Sequence, residues 1–368
     1  MSTRKDNTKS IHKYFMKLAF NQASKVLGNT GQNPAVGCVI VKRNNVISLG
    51  HTNYSGRPHA EYNALSNKKL SYDDSILYST LEPCSHYGKT QPCTNIIKRK
   101  NVKTVIFSQL DPDIRSYNRA KKFLNSKKIK TFSNICDKDG KSFYKDYFIK
   151  KKTNKIFISS KLATSKDYFI KNKYNKYITN IYSRGRAHLL RSSHDSILTT
   201  SKTVLSDNPT LNCRIQGLEK YSPSRFILDK NLSIKSSAKI FNNNRYKKTY
   251  VFYNVVNQNK LRKLKALKVI TIKISLKNNL MDFNEVIHQI KRLGYSRLFI
   301  EAGIEFNNFL LKNNYIDEFY HFYSDIYFKK NGFFNAKLLI NKINRCMKNK
   351  RKIKTNLFND NLIKYFVK

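Results

Sequence analysis

Tryptophan is absent from the 368 residues, and several other residue types are scarce: 6 Cys, 12 Gly, 7 Pro, and 23 Asp plus Glu against 71 Lys plus Arg. Each shortage excludes something. Six cysteines, two of them inside a metal-like motif, make no disulfide framework and fit a reducing compartment. Cys38, Cys136, Cys213 and Cys346 read as packing thiols. No Pro/Gly-rich stretch marks a flexible linker, no Gly-x-Gly-x-x-Gly marks a standard dinucleotide turn, and no self-similarity of solenoid length is present. No apolar run reaches membrane-spanning length, and no long apolar segment follows Met1-Ser2-Thr3-Arg4-Lys5. The expectation is a soluble cytoplasmic protein without a membrane partner.

The shortage of acids leaves a formal net charge of +48. Such a surplus ordinarily suggests nucleic-acid binding. Here the lysines are spread along the whole chain and come with abundant Asn, Ile, Tyr and Phe, residues that share AT-rich codons. Drift in composition explains all of them together, so no dedicated nucleic-acid partner is expected. The field would still steer phosphorylated ligands inward.

What is there is a motif. His59-Ala60-Glu61 is followed by Pro83-Cys84-Ser85-His86-Tyr87-Gly88-Lys89-Thr90-Gln91-Pro92-Cys93. One imidazole and two thiols suit tetrahedral zinc with its fourth position left for water, and one such ion is expected here. A closed structural site would need a fourth protein ligand, and only His86 offers itself. Glu61 is not needed as a ligand. It stands where a carboxylate can pass protons between the water and a substrate, which is the arrangement of the zinc deaminases.

The surroundings read as α/β. Val36–Val41 and Val46–Gly50 form a hairpin about the turn pair Asn44-Asn45, and Ser75–Leu81 is a buried strand. Helices follow over Ala60–Ser66 and Thr94–Lys100, so His59 and Cys93 lie at helix starts, where the dipole favours a thiolate. Val105-Ile106-Phe107 and a helix near Arg119–Asn125 continue the alternation, giving a three-layer domain over 1–150.

Zinc deaminases acting on nucleosides or transfer RNA usually carry Pro-Cys-x-x-Cys, whereas eight residues separate Cys84 from Cys93. The segment PCSHYGKTQPC closely resembles the deaminase half of the bifunctional riboflavin-biosynthesis deaminase/reductase family, as do Asn33–Val41 and Gly56–Glu61. The resemblance implies a cytidine-deaminase-like α/β/α fold. The implied reaction is hydrolytic removal of the 2-amino group of 2,5-diamino-6-ribosylamino-4(3H)-pyrimidinone 5′-phosphate. It also implies that His59, Cys84 and Cys93 hold zinc, that Glu61 shuttles protons, and that Asn33 and Lys89 contact substrate. Two departures stand out: Thr52 occupies a position commonly histidine, and Asp111-Pro112-Asp113 replaces Asp-Pro-Asn.

Length points to a second domain, over 151–368, with a boundary near the polar stretch Lys150–Lys155. Strands are expected at Ile156–Ala163, Ser196–Thr200, Phe226–Leu228, Thr249–Phe252, Val269–Ile272 and Arg297–Glu301. Helices are expected near Ala187–Leu190 and Glu305–Leu311, and Phe241–Lys248 reads as a loop. Alternating strands and helices imply a mainly parallel sheet with both faces covered. Gly303, after a strand and opening a helix, presents backbone N–H groups to an anion.

The segments Thr203–Leu211 with Arg214, and Leu189-Leu190-Arg191, resemble the reductase half of the same family. The resemblance then runs from about residue 10 to about residue 320, in family order. It implies a dihydrofolate-reductase-like α/β fold and hydride transfer from NADPH that opens the ribosyl group to ribityl. By position, Ala163, Tyr177, Thr203, Asp207 and Gly303 would lie by the cofactor, and Arg191, Leu211, Arg214 and Glu301 by the substrate. Departures include Tyr168 in place of a glycine, Tyr177 where tryptophan is common, Asn175 where serine is frequent, Lys230 after Asp229, and a basic tail over Met347–Lys354. They keep open a deaminase whose second domain has lost reduction; the net charge alone, against the cysteine spacing, keeps open an RNA-binding nucleobase deaminase. Homo-oligomer formation is left open.

Overall fold

The computed structural model describes residues 2–174, 177–242, 247–347 and 349–367. Asn175 and the middle of the loop expected over Phe241–Lys248 lie outside the described residues. The chain divides into two compact units, Met1–Lys155 and Ile156–Lys368.

The first unit contains α1 (Ser2–Ser24), β1 (Gly37–Lys42), β2 (Asn45–His51), α2 (Ala60–Leu65), β3 (Ile76–Leu81) and α3 (Cys93–Arg99). It ends with β4 (Thr104–Gln109), α4 (Arg119–Ser126), β5 (Lys130–Phe132), α5 (Asp137–Phe143) and α6 (Lys145–Thr153). The sheet order is β2-β1-β3-β4-β5. β1 runs antiparallel to both neighbours, and β3, β4 and β5 are parallel. The β1–β2 turn falls on Arg43 and Asn44, with φ of 50° and 63°, one residue earlier than the sequence suggests. Two consecutive left-handed residues match the twist of a tight hairpin, and asparagine tolerates that conformation.

Helix α1 is not apparent from the sequence, because lysines interrupt its apolar stripe. Phe15, Met16, Ala19 and Ala23 are buried on it. It lies directly over β1: a Cβ at Gly37 would sit 1.9 Å from the Ala19 carbonyl oxygen. Helix α2 lies equally close to β2, where a Cβ at Gly50 would sit 2.2 Å from the Ala60 carbonyl oxygen. Residues 150–153, expected near the domain boundary, form the last turn of α6, which ends at the left-handed Asn154.

The second unit contains β6 (Phe157–Thr164), β7 (Phe169–Asn172), α7 (Ile181–Ser192), β8 (Ser196–Thr200), α8 (Ser201–Asp207), β9 (Ser224–Leu228) and β10 (Thr249–Tyr253). There follow α9 (Gln258–Ala266), β11 (Ile270–Lys273), β12 (Leu276–Lys277), β13 (Leu280–Met281), α10 (Phe283–Arg292), β14 (Arg297–Glu301), α11 (Ile304–Lys312) and β15 (Glu318–Tyr323). The last elements are β16 (Gly332–Asn335), α12 (Lys337–Cys346), β17 (Asn349–Lys352) and β18 (Asn361–Phe366).

The main sheet has the order β11-β10-β9-β8-β14-β6-β15-β18-β17. It is parallel from β11 to β15 and antiparallel at β18 and β17. Neighbouring residues of one strand enter different cores: Leu198, Ile300 and Phe226 pack on one face, Ile197, Phe299 and Ile227 on the other. That is why these strands read as continuous apolar runs. The basic run expected as a tail is partly the edge strand β17, where lysines discourage further pairing. β7 and β16 form a separate two-stranded ribbon.

Candidate active sites

In the first unit, local geometry gathers the metal donors. His59 precedes α2 in extended conformation and Cys93 opens α3. His59 Nδ1 lies 3.5 Å from Cys84 Sγ and 3.4 Å from Cys93 Sγ. The three donor atoms all lie within 4.8 Å of one another. The Cys93 backbone N–H donates to Cys84 Sγ at 3.2 Å. Hydrogen bonds from Cys93 and His59 pull the Cys84 thiol down to about 4 against the cost of burial, while Cys93 is pushed up. An imidazole and two converging sulfurs, one readily a thiolate, fit zinc in both charge and softness.

Glu61 is 3% exposed, on the first turn of α2, and accepts a hydrogen bond from Ser79 Oγ at 3.3 Å. Burial pushes its carboxyl up, and the neighbouring Cys84 adds to the shift. His86 is not a fourth donor; its Nδ1 lies 2.9 Å from Ser116 Oγ. Asn33 donates to the Gly56 carbonyl at 2.8 Å, and Lys89 is exposed. Thr52 staples the Asn33 loop: its Oγ1 accepts from the Val36 N–H at 3.0 Å and donates to the Pro34 carbonyl at 3.2 Å. Glu82 directly follows β3, and no motif in the sequence marks it. Its buried carboxylate accepts the N–H groups of Asp111, Asn118 and Ala120 at 3.3, 3.0 and 3.1 Å, and so shapes the 111–120 loop.

In the second unit, one cleft of about 1600 Å³ brings together every residue that the family resemblance marks in this half. Ala163, Tyr177, Thr203, Asp207 and Gly303 line it, as do Arg191, Leu211, Arg214 and Glu301. Gly303 caps α11, and the position a Cβ would take there is open space. Asp207 pairs with Lys171 at 3.4 Å, and the Arg184 guanidinium lies 4.2 Å from the Tyr177 ring centroid. Arg214 is exposed at the rim, where it donates to Thr210 Oγ1 at 2.8 Å. Leu211 is buried in a left-handed conformation, φ 50°.

Arg191 and Glu301 meet each other. Arg191 Nε and Nη2 donate to the two Glu301 oxygens at 2.6 and 3.0 Å, and Lys161 Nζ lies 3.2 Å from Oε2. Burial alone would raise the Glu301 carboxyl, but attraction to Arg191 and Lys161 outweighs it and holds the group at about 2. Lys161 and His188 are two cleft residues that no motif in the sequence marks. Lys161 lies inside an apolar strand, and only its break in the run distinguishes it. Burial, then repulsion from Arg191 and Arg214, lowers His188 to about 4. The turn that lacks its glycine does need a left-handed residue: Tyr168 has φ 69°, and its ring stacks on His321 at 6.4 Å.

A zinc-dependent deaminase joined to a reductase is the class that these two folds and sites define. Residues 9–109 match the family model of the cytidine and deoxycytidylate deaminase zinc-binding region, and residues 157–326 match the RibD C-terminal domain. The riboflavin biosynthesis protein RibD of Aquifex aeolicus is 31% identical over 312 residues, covering 84% of this chain and 85% of that protein. RibD of Bacillus amyloliquefaciens is 29% identical, covering 86% and 85%. Among solved structures, the diaminohydroxyphosphoribosylaminopyrimidine deaminase/5-amino-6-(5-phosphoribosylamino)uracil reductase of Thermotoga maritima superposes with a TM-score of 0.79 at 25% identity, over 98% of this chain and 99% of that one. Acinetobacter baumannii RibD shares the fold, with a TM-score of 0.78 over 97% of this chain and 99% of that one, at 24% identity.

The chain belongs to the RibD family, the bifunctional deaminase/reductases of riboflavin biosynthesis. Both halves match, so neither the deaminase-only nor the RNA-binding reading is favoured. Among the described residues, no helix is long and apolar enough to cross a membrane.

Proposed function

We propose that the chain deaminates 2,5-diamino-6-ribosylamino-4(3H)-pyrimidinone 5′-phosphate in its first unit and reduces the ribosyl side chain with NADPH in its second. The observation that carries the reading is the convergence of His59, Cys84 and Cys93 beside the buried carboxyl of Glu61.

His59, Cys84 and Cys93 would hold the zinc, which when bound would supply a Lewis acid that makes a water acidic enough to react. Glu61 takes a proton from the attacking water and returns it to the departing nitrogen, so the amine leaves as ammonia and a carbonyl replaces it. Ser79 fixes the carboxyl for both transfers. Asn33, tied to Gly56, and Lys89 contact the pyrimidine and its phosphorylated side chain. In the cleft, the start of α11 at Gly303 takes cofactor phosphate, with Ala163, Tyr177, Thr203 and Asp207 beside the dinucleotide. Arg214, at the rim, meets the substrate phosphate. Arg191 and Lys161 keep Glu301 ionised, and Leu211 packs beside the substrate. NADPH, when bound, would supply the hydride for the ribosyl carbon that bears the nitrogen, and a proton from solvent would balance the opening of the ring oxygen to a hydroxyl.

Product analysis by mass spectrometry tests this with zinc-loaded protein, the diaminopyrimidinone ribosyl phosphate, and NADPH present or omitted. Amine loss in both samples, with a gain of two hydrogens only when NADPH is present, is the expected result. Unchanged substrate in both samples overturns the reading.

A further inference from the structure

We propose that Phe334 is a cofactor-binding residue of the reductase cleft, its ring stacking on a planar heteroaromatic ring of the dinucleotide. The inference rests on the NADPH reading above and extends it to a residue beyond the stretch matched by the C-terminal domain model, which ends at residue 326.

Three observations carry it. First, Phe334 is 66% exposed and yet lines the cleft. A large aromatic held in solvent at the mouth of a ligand cavity has apolar area left to cover. Second, its backbone is left-handed, with φ 55°. A bulky residue avoids that region, where Asn or Gly would sit without cost, and such strain concentrates at ligand clamps. Leu211, on the same cleft, carries the same kind of strain.

Third, the ring stands on a fixed ribbon. Phe333 pairs with Lys171 and Asn335 with Phe169, with Phe334 between those pairs. The Ala336 N–H donates to the Tyr168 carbonyl at 2.8 Å, the Lys173 N–H to the Asn331 carbonyl at 3.1 Å, and Asn335 Nδ2 to the Asp167 carbonyl at 3.0 Å. At Gly332 a Cβ would lie 2.3 Å from the Phe169 ring, so the two strands close tightly.

The ribbon's position selects the ligand. Lys171, cross-strand from Phe333, hydrogen-bonds Ser206 and pairs with Asp207 at the end of α8. Phe334 lines the same cleft as Lys171, Ser206 and Asp207, on the ribbon that this pairing ties to the proposed cofactor residues. The charged Arg191–Glu301–Lys161 group, by contrast, carries the proposed substrate contacts. A flat ring is also what a lone phenyl face recognises, since stacking asks for no matched hydrogen bonds.

Binding of NADPH to the full chain, followed by fluorescence of the dihydronicotinamide, tests the proposal with Phe334→Asn and Phe334→Tyr. Asparagine accepts the left-handed backbone and removes the ring; tyrosine keeps it. Loss of one base–aromatic stack predicts that Phe334→Asn weakens NADPH roughly tenfold. Its Tm should hold or rise, and the KM for NADPH should rise. Phe334→Tyr should bind as wild type does. If the loss extends to 2′-phospho-ADP-ribose, the stack is on the adenine; if it is confined to NADPH, the stack is on the nicotinamide. Unchanged NADPH binding by Phe334→Asn, or a rise confined to the KM of the pyrimidine substrate, overturns the proposal. Absence of NADPH binding by the wild-type chain is a separate result that removes the cofactor reading itself, and this inference with it.

Discussion

Replacing Arg191 by methionine probes the centre of the reductase cleft. The change keeps the length and apolar stem of the side chain while deleting two hydrogen bonds, at 2.6 and 3.0 Å, to a carboxylate whose side chain is 8% exposed. The fall of the Glu301 carboxyl from 4.5 to about 2 corresponds to ~3 kcal/mol of stability. Lys161 remains, but with one longer contact of 3.2 Å, so Arg191 carries the larger share. A loss of about 2 kcal/mol follows, lowering the Tm of the second unit by about 5 °C. The carboxyl is depressed, so its contribution is complete above pH 4.5 and disappears as pH falls toward 2; Arg191→Met should flatten that acid limb. Glu301→Gln leaves two cations unpaired and should cost at least as much. The double variant should then lose clearly less than the two singles together, because it removes the pair rather than orphaning one member. Calorimetry of the intact chain measures this, with zinc chelated in a parallel sample to mark the transition of the first unit. Strict additivity, or an unmoved Tm for Arg191→Met, would refute the reasoning.

Glu61→Gln should retain zinc by metal analysis while deamination falls below detection, whereas Cys84→Ala should lose the metal as well; full activity in Glu61→Gln would exclude the proton-shuttle role. Gly50→Ala would place a Cβ 2.2 Å from the Ala60 carbonyl oxygen and displace the helix behind His59 and Glu61. Such overpacking costs about 1–3 kcal/mol, so zinc content and deamination should drop together while reduction persists. Burial holds His321 neutral, at about 4 against an ordinary 6.5, with Thr164 Oγ1 3.0 Å from its Nε2. Stability from this group is complete above pH 6.5 and is lost as pH falls toward 4, a slope that urea titrations should show diminished in His321→Gln.

The deaminase site was legible because its chemistry is compressed into two short runs, and because β-branched strands and glycine-bearing turns surround them. Single elements of the second unit were legible for the same local reasons. What the sequence concealed is what arises only in three dimensions. Lys161 reads as an interruption in an apolar strand until β14 brings Glu301 to it. Glu82 reads as the polar end of β3, and nothing local says that three N–H groups from a loop some thirty residues on will converge on its carboxylate. Helix α1 was hidden by lysines that dilute its stripe of Ile11, Phe15, Met16, Ala19 and Ala23. The aromatic strand β15 and its partner β18 carry no turn signal strong enough to bound them. Tyr168 shows the converse: an absent glycine was visible, but only φ reveals that the turn kept its left-handed shape regardless.

A chain with so few acids spends them in particular places. Glu82 and Asp229 are buried acceptors of backbone N–H groups, Asp195 and Asp167 accept others, and the buried Glu301 and Glu318 hold half-buried cations. Lysines, by contrast, are mostly exposed and interchangeable. The surplus charge therefore sits outside the architecture, while individual carboxylates fix loops that shape the sites. Glu82→Gln tests the asymmetry. The amide keeps the size but offers one acceptor oxygen and turns its NH2 group toward an N–H donor, so at least one buried N–H loses its partner. Hydrogen bonds to a charged acceptor contribute about 1.5–3 kcal/mol, and a loss of about 2 kcal/mol in the first unit is expected. Asp74→Asn, which removes the exposed Lys103 pair at 2.8 Å, should leave the denaturation curve unchanged. Equal effects from the two substitutions would mean that the acids are as dispensable as the lysines, and that the 111–120 loop is held by something other than the Glu82 carboxylate.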